Sequence, residues 1–96
     1  MEITFDPDKE KRNIRKHGLN FSLADLILSD PLGVTFYDRF DGGEHRWHTI
    51  GAVGYHGRVL VLVHTDPDLH EDRPIRIIGL REATAQERRR YEDGTD

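Results

Sequence analysis

The sequence predicts an α+β domain in the order β-α-α-β-β-β-β-α: an antiparallel sheet with two helices before it and a short helix after it. Three observations carry this. Helix-start signals stand near both ends, at Asp6-Pro7 and at Thr84 with Glu87 three residues on. Between them, from Val34 to Leu80, the apolar residues fall in short alternating or continuous runs that suit strands. Gly42-Gly43 and Gly54-Tyr55-His56-Gly57 divide those runs as hairpin turns would.

Ile3-Thr4-Phe5 reads as a short first strand. Asp6 can accept from free amides and Pro7 suits the first helical position, so a helix follows. It runs to about His17 and ends at Gly18, a residue free to take the left-handed cap. Ile14 is its chief apolar position, so most of its surface should face water. Ser22 with Asp25 resembles a capping box and opens a mostly buried helix, closed by Asp30-Pro31. Strands are expected at Val34–Tyr37, Arg46–Val53, Val59–Val63 and Ile75–Leu80, with Arg39 to His45 as a polar loop or turn. Val59–Val63 is apolar on both faces and should lie centrally. On the strand before it, Arg46, His48 and Ile50 share one face, and Trp47, Thr49 and Gly51 the other. Asp66 to Pro74 reads as an acidic loop. The final helix runs from Ala85 to about Glu92, and residues from about 93 on form a disordered tail.

At 96 residues the chain fits one domain. Cysteine is absent, which excludes disulfides, thiolate catalysis and cysteine zinc sites. No secretory signal or bilayer-length apolar run is visible, so a cytoplasmic location is expected, without membrane attachment. The net charge of -4 speaks against nucleic acid only as a sum. Lys9, Lys11, Arg12, Arg15 and Lys16 cluster in one segment, and Arg76, Arg81, Arg88, Arg89 and Arg90 in another. Local basic zones can bind phosphate on an acidic molecule, although solvated helix faces would look the same.

The six histidines show no helical metal-ligand spacing, and His45 and His48 should point to opposite strand faces. No metal site and no cofactor are expected; phosphate-binding loops and nucleophile elbows are also missing. What remains is phosphodiester chemistry. It needs a base for the 2′-hydroxyl, a cation for the phosphorane oxygens and an acid for the leaving oxygen. Lys16, Arg46, Arg76 and Arg81 are candidates for the charge, and His17, Glu44 and His64 for the protons. Arg76 should share a face with Ile78 and Leu80, and could instead pair with Glu82 or Glu44. Lys16-His17 could simply satisfy the last helical carbonyls, and His64 could be an exposed strand end. Trp47 and Tyr91 could stack bases, or pack the core and the last helix.

Several blocks in order resemble the toxins of BrnT/BrnA toxin–antitoxin modules. They are Phe5-Asp6-Pro7, Arg15-Lys16-His17-Gly18, Phe21-Ser22, Asp30-Pro31-Leu32, Glu44-x-Arg46-Trp47-x-x-Ile50-Gly51, Val61-Leu62-Val63-His64-Thr65, Ile75-Arg76-Ile77-Ile78 and Arg81-x-Ala83-Thr84-x-x-Glu87-Arg88-x-x-Tyr91. The resemblance implies a RelE-like fold and a ribonuclease that cleaves mRNA. It implies neutralisation by a BrnA-type ribbon-helix-helix antitoxin, typically in a heterotetramer that touches operator DNA only through the antitoxin. Lys16, His17, Glu44, Arg46, His64, Arg76 and Arg81 then become the catalytic set, with Arg15, Arg73 and Tyr91 on substrate. The chain departs from the pattern at Gly79-Leu80, where Ser-Ala is usual, and at Asp66-Pro67, where an arginine often follows; Arg73 would replace it. The rival reading is a non-catalytic nucleic-acid- or protein-binding module on the same fold.

Overall fold

The computed structural model describes residues 2–66 and 73–94. Asp6 accepts from the Asp8 amide and Pro7 takes the first turn, so helix α1 spans Pro7–His17 directly after strand β1, Ile3–Phe5. Gly18 closes it at φ 71°, with its amide on the Ile14 carbonyl. A 3₁₀ turn over Phe21–Leu23 leads into the short helix α2, Ala24–Leu28. The expected Ser22–Asp25 capping box does not form. Asn20 lies ahead of it and accepts from the Ser22 amide, so the cap falls two residues early and serves the 3₁₀ turn.

Strands β2 (Val34–Asp41), β3 (Glu44–Val53), β4 (Arg58–His64) and β5 (Ile75–Glu82) form an antiparallel meander. Gly42 and Gly43 both take positive φ, which lets two residues turn the first hairpin; the segment expected as loop is therefore mostly strand. Helix α3, Ala85–Asp93, opens on the expected capping box between Thr84 and Glu87. The helix takes in Asp93 and Gly94 caps it, so the expected disordered tail does not begin at 93; residues 95 and 96 lie outside the described ones. Most of the acidic loop also lies outside them.

The sheet order is β1-β5-β4-β3-β2, with β4 central as expected. One expectation is corrected. The sheet is mixed rather than antiparallel, because β1 runs parallel to β5 through Ile3–Ile75 and Phe5–Ile77. The long return from β1 to the far end of the chain allows that direction, which no tight turn could.

Each face of the sheet buries its own cluster. Helices α1 and α2 cover Leu60, Leu62, Ile75, Ile77 and Leu80 together with Phe21 and Ile27. On the opposite face, α3 brings Tyr91 against Ile50, Val59, Val61 and Phe36. The Tyr91 hydroxyl donates to Asp30, and Asp30 also accepts from the Ala52 and Leu32 amides. Burial disfavours the ionised carboxyl, yet these hydrogen bonds outweigh it and hold the Asp30 pKa low.

The buried residue of α1 is Asn13, while Ile14, its chief apolar position, stays exposed. Beyond Ile77, β1 no longer pairs with β5, and the edge of β5 lies bare. Asn13 serves it: its Oδ1 accepts from the Leu80 amide at 3.0 Å and its Nδ2 donates to the Leu19 carbonyl at 2.9 Å. A buried backbone amide without such a partner would cost about 1–3 kcal/mol.

Candidate functional site

Two bulges shape the face that carries α3. Between Tyr37 and Arg39 the β2–β3 register shifts by one, leaving Asp38 as the extra residue. Between Val63 and His64 the β4–β5 register shifts likewise, leaving Ile78 extra. A bulge turns consecutive side chains toward one face and bends the strand. Asp38 and Arg39 consequently both line one cleft, together with Arg46, His48, Ile78 and Arg81. Its volume is about 360 Å³. The second bulge also corrects the expected face of β5: Leu80 joins the helix-covered core, away from Arg76 and Ile78.

Ile78 is shared with a second cleft, lined by Lys9, Arg12, Lys16 and His17 of α1. Residues 9, 12, 13 and 16 recur at helical spacing, so the buried Asn13 aims this basic stripe toward β5. Burial lowers the Lys9 pKa, and the Arg76 and Arg46 guanidiniums press it lower still. The cations of α1 and of the sheet thus stand close enough to sense one another. On the other side, Asp38 and His48 also border a third cleft with Phe36, Gln86, Arg89 and Arg90. There the Arg90 guanidinium lies 3.8 Å above the Phe36 ring.

Arg81, Arg46 and Arg76 each hold a carboxylate. Arg81 holds Glu87 through two hydrogen bonds of 2.7 and 2.9 Å, and this pair lowers the Glu87 pKa to about 2. Arg46 meets Asp41 at 3.2 Å, while its buried Nε has no hydrogen-bond partner among the described residues. Arg76 pairs with Glu44, one of the two carboxylates the sequence offered it.

The expected site residues therefore divide. Lys16, His17, Arg46 and Arg81 line the two clefts that meet at Ile78. Glu44, Arg73 and Arg76 line a separate cavity of about 450 Å³ with Thr4, His45 and Thr65. Arg15 is exposed on α1, off the stripe that carries Lys9, Arg12 and Lys16. His64 is fully buried. Its Nδ1 donates to the Thr65 carbonyl at 2.6 Å, so Nε2 accepts from the Thr49 hydroxyl at 2.7 Å. Burial pushes its pKa down. A neutral side chain with both nitrogens engaged and no solvent access does not fit the expected proton transfer. Tyr91 is likewise an anchor of α3, with burial and Asp30 raising its pKa to about 12.

Sequence reasoning placed His48 beside Arg46 but did not count it a site residue. Its side chain is 14 % exposed, and its Nε2 lies 3.4 Å from Asp38 Oδ2. Burial lowers its pKa, Asp38 raises it and Arg81 lowers it, with a net downward shift. Arg39, Lys9 and Arg12 were also left out. Helical spacing could have found the last two; nothing local marks the bulge that brings in Arg39. Among the described residues no three His, Asp or Glu side chains converge as a metal site would need. No helix among them is long and apolar enough to cross a membrane.

No curated protein matches the chain. The family described as the ribonuclease toxin, BrnT, of type II toxin–antitoxin systems matches residues 5–87. That span takes in both basic clefts, both bulges and the Arg81–Glu87 pair, and the chain belongs to this family of ribonuclease toxins, whose members act alongside a protein antitoxin.

Proposed function

We propose that the protein is a metal-independent endoribonuclease of RelE-like fold that cuts mRNA in the cytoplasm, in the two clefts meeting at Ile78. One observation carries the reading: Lys16 of α1, Arg46 of β3 and Arg81 of β5 come from separate segments yet line adjoining clefts. A ribose-phosphate backbone laid along that line meets cations on both sides of the scissile phosphate. Arg46 brings its guanidinium to the cleft wall, and Arg81, fixed by Glu87, presents a guanidinium that need not be ordered on binding. Lys16, Lys9 and Arg12 hold the flanking phosphates, and His17 lies within the same basic stripe. In the reaction the 2′-oxygen bonds to phosphorus, its proton leaves to a base, and the bond from phosphorus to the 5′-oxygen breaks. The 5′-oxygen then takes a proton from water, leaving a 2′,3′-cyclic phosphate and a 5′-hydroxyl end.

The antitoxin in this reading is a BrnA-type ribbon-helix-helix protein, bound in a heterotetramer that meets operator DNA through the antitoxin alone. Covering the basic clefts with an acidic surface would silence the nuclease directly.

A second reading has support in the ion pairs. Arg46, Arg76 and Arg81 each already hold a carboxylate, as they would in a binding module without catalysis. Purified protein incubated with end-labelled RNA in EDTA separates the two. Cleavage to cyclic-phosphate ends is expected. Removing Arg46 with Arg46→Ala should slow it about 10²–10³-fold, the size of losing one preorganised charge donor. Binding without cleavage supports the module, and undiminished cleavage by Lys16→Ala, Arg46→Ala and Arg81→Ala alike would place the site elsewhere.

A further inference from the structure

We propose that His48 is the base that takes the 2′-hydroxyl proton and that Asp38 is its positioning residue. This rests on the ribonuclease reading of the clefts and names the proton acceptor within them.

The geometry starts at the β2 bulge. In a regular strand paired with β3, residues facing Phe36 and His48 would alternate, and only one of Asp38 and Arg39 could look into the cleft. The inserted residue puts both there. Asp38 then sits beside His48, Nε2 to Oδ2 at 3.4 Å. That is longer than a hydrogen bond, as catalytic contacts without substrate often are. With the Nε2 proton turned toward Asp38, Nδ1 keeps its lone pair; no described residue gives it a hydrogen bond. Phe36 packs edge-on against the imidazole at 5.3 Å between centroids and limits its rotation.

Asp38 and His48 are also the two residues that border both neighbouring clefts. One cleft carries Arg39, Arg46 and Arg81, suited to the scissile phosphate. The other carries the Phe36–Arg90 stack and Gln86, suited to an unstacked base and its hydrogen-bonding edge. A nucleotide whose base enters the second cleft and whose phosphate enters the first places its ribose between them, against His48. Other titratable groups near the imidazole are Arg39 on β2, Arg46 on β3, His64 on β4, Arg81 on β5, and Glu87, Arg89, Arg90 and Asp93 on α3. Burial, the largest cause, outweighs Asp38 and with these charges holds the His48 pKa below the ordinary imidazole value, which favours the neutral form a base needs.

In the step, His48 Nδ1 takes the proton as the 2′-oxygen closes on phosphorus, and the imidazolium returns it to water after the 5′-oxygen has left. No oxidant, reductant or further co-reactant is needed.

The test uses the full-length protein, a short RNA and its analogue with a single 2′-deoxyribose at the cut site, in EDTA. His48→Gln and His48→Ala should each slow cleavage by about 10²-fold or more while far-UV circular dichroism and RNA binding stay unchanged, general-base contributions being of that size. Asp38→Asn should slow it about 10-fold or more, as expected when the group orienting a catalytic imidazole is lost. It should also move the acid limb of the kcat/KM–pH profile to lower pH, since the carboxylate that favours the imidazolium is gone; a merely structural Asp38 would leave the limb in place. Wild-type cleavage with His48→Gln equally fast, or an acid limb unmoved by Asp38→Asn, overturns the inference and leaves the ribonuclease standing. A wild-type protein that binds the RNA but never cuts it overturns the ribonuclease reading itself.

Discussion

Asn13 joins the basic helix to the sheet, and truncating it measures how firmly. Asn13→Ala deletes the hydrogen bonds to the Leu80 amide and the Leu19 carbonyl, both in buried surroundings. Each abandoned group costs about 1–3 kcal/mol, and entry of a water at this 8 % exposed position would recover part of that. The expected loss is about 2–4 kcal/mol from a domain whose whole stability is about 5–14 kcal/mol. At about 4–8 °C per kcal/mol, Tm should fall by about 8–32 °C. Asn13→Asp keeps the acceptor for Leu80 but sets a carboxylate against the Leu19 carbonyl, so it should be at least as unstable near pH 7. Its deficit should shrink as pH falls, because a protonated carboxyl can donate where Asn13 does. Urea and thermal melts give the stabilities, and exchange of the Leu80 amide hydrogen gives the local effect: slow in wild type, fast in Asn13→Ala. A change under about 0.5 kcal/mol in Asn13→Ala, with Leu80 still protected, would refute the reasoning.

Three further predictions concern stability. Glu87 has a folded pKa of about 2 against an ordinary 4.5, so its pairing with Arg81 stabilises fully above pH 4.5 and fades as pH drops toward 2. Glu87→Gln should cost about 1–2 kcal/mol near pH 7 after allowance for solvent screening, and its Tm should meet that of wild type in strong acid. His64 is buried and favours its neutral form, so its contribution is complete above pH 6.5 and declines as pH falls below that value; His64→Leu should flatten the wild-type fall in Tm between pH 7 and 5. At Gly51 a Cβ would lie 3.0 Å from Ile27 Cγ2 and 3.1 Å from the Ile27 carbonyl oxygen, so Gly51→Ala should cost about 1–3 kcal/mol in a chemical denaturation curve.

The parts of the fold that the sequence announces are those with local causes. Asp6-Pro7 with Gly18 and Thr84 with Glu87 mark helices α1 and α3 within a residue of where they lie. Alternation along Arg46–Val53 separates Ile50, which packs under α3, from Val53, which packs under α2. What escaped has non-local causes. The parallel pairing of Ile3–Phe5 with Ile75–Ile77 joins segments about 70 residues apart and leaves no local pattern. A bulge is one extra residue without a signature of its own, so Leu80 was set on the wrong face and the turn of Arg39 into the cleft beside Asp38 was invisible. Ser22 lost its cap to Asn20 because two competent caps stood two residues apart. For Arg76 the chemistry was legible, a cation in need of an acid, but the choice of Glu44 over Glu82 depended on which strands became neighbours.

The parallel contact between β1 and β5 also orders events during synthesis. Neither strand β1 nor Asn13 of α1 can meet its partner on β5 until Ile75–Glu82 has been made. The meander of β2, β3 and β4 needs only near neighbours and can pair earlier. Helix α1 and the clefts it borders therefore take their final form only after β5 has been made.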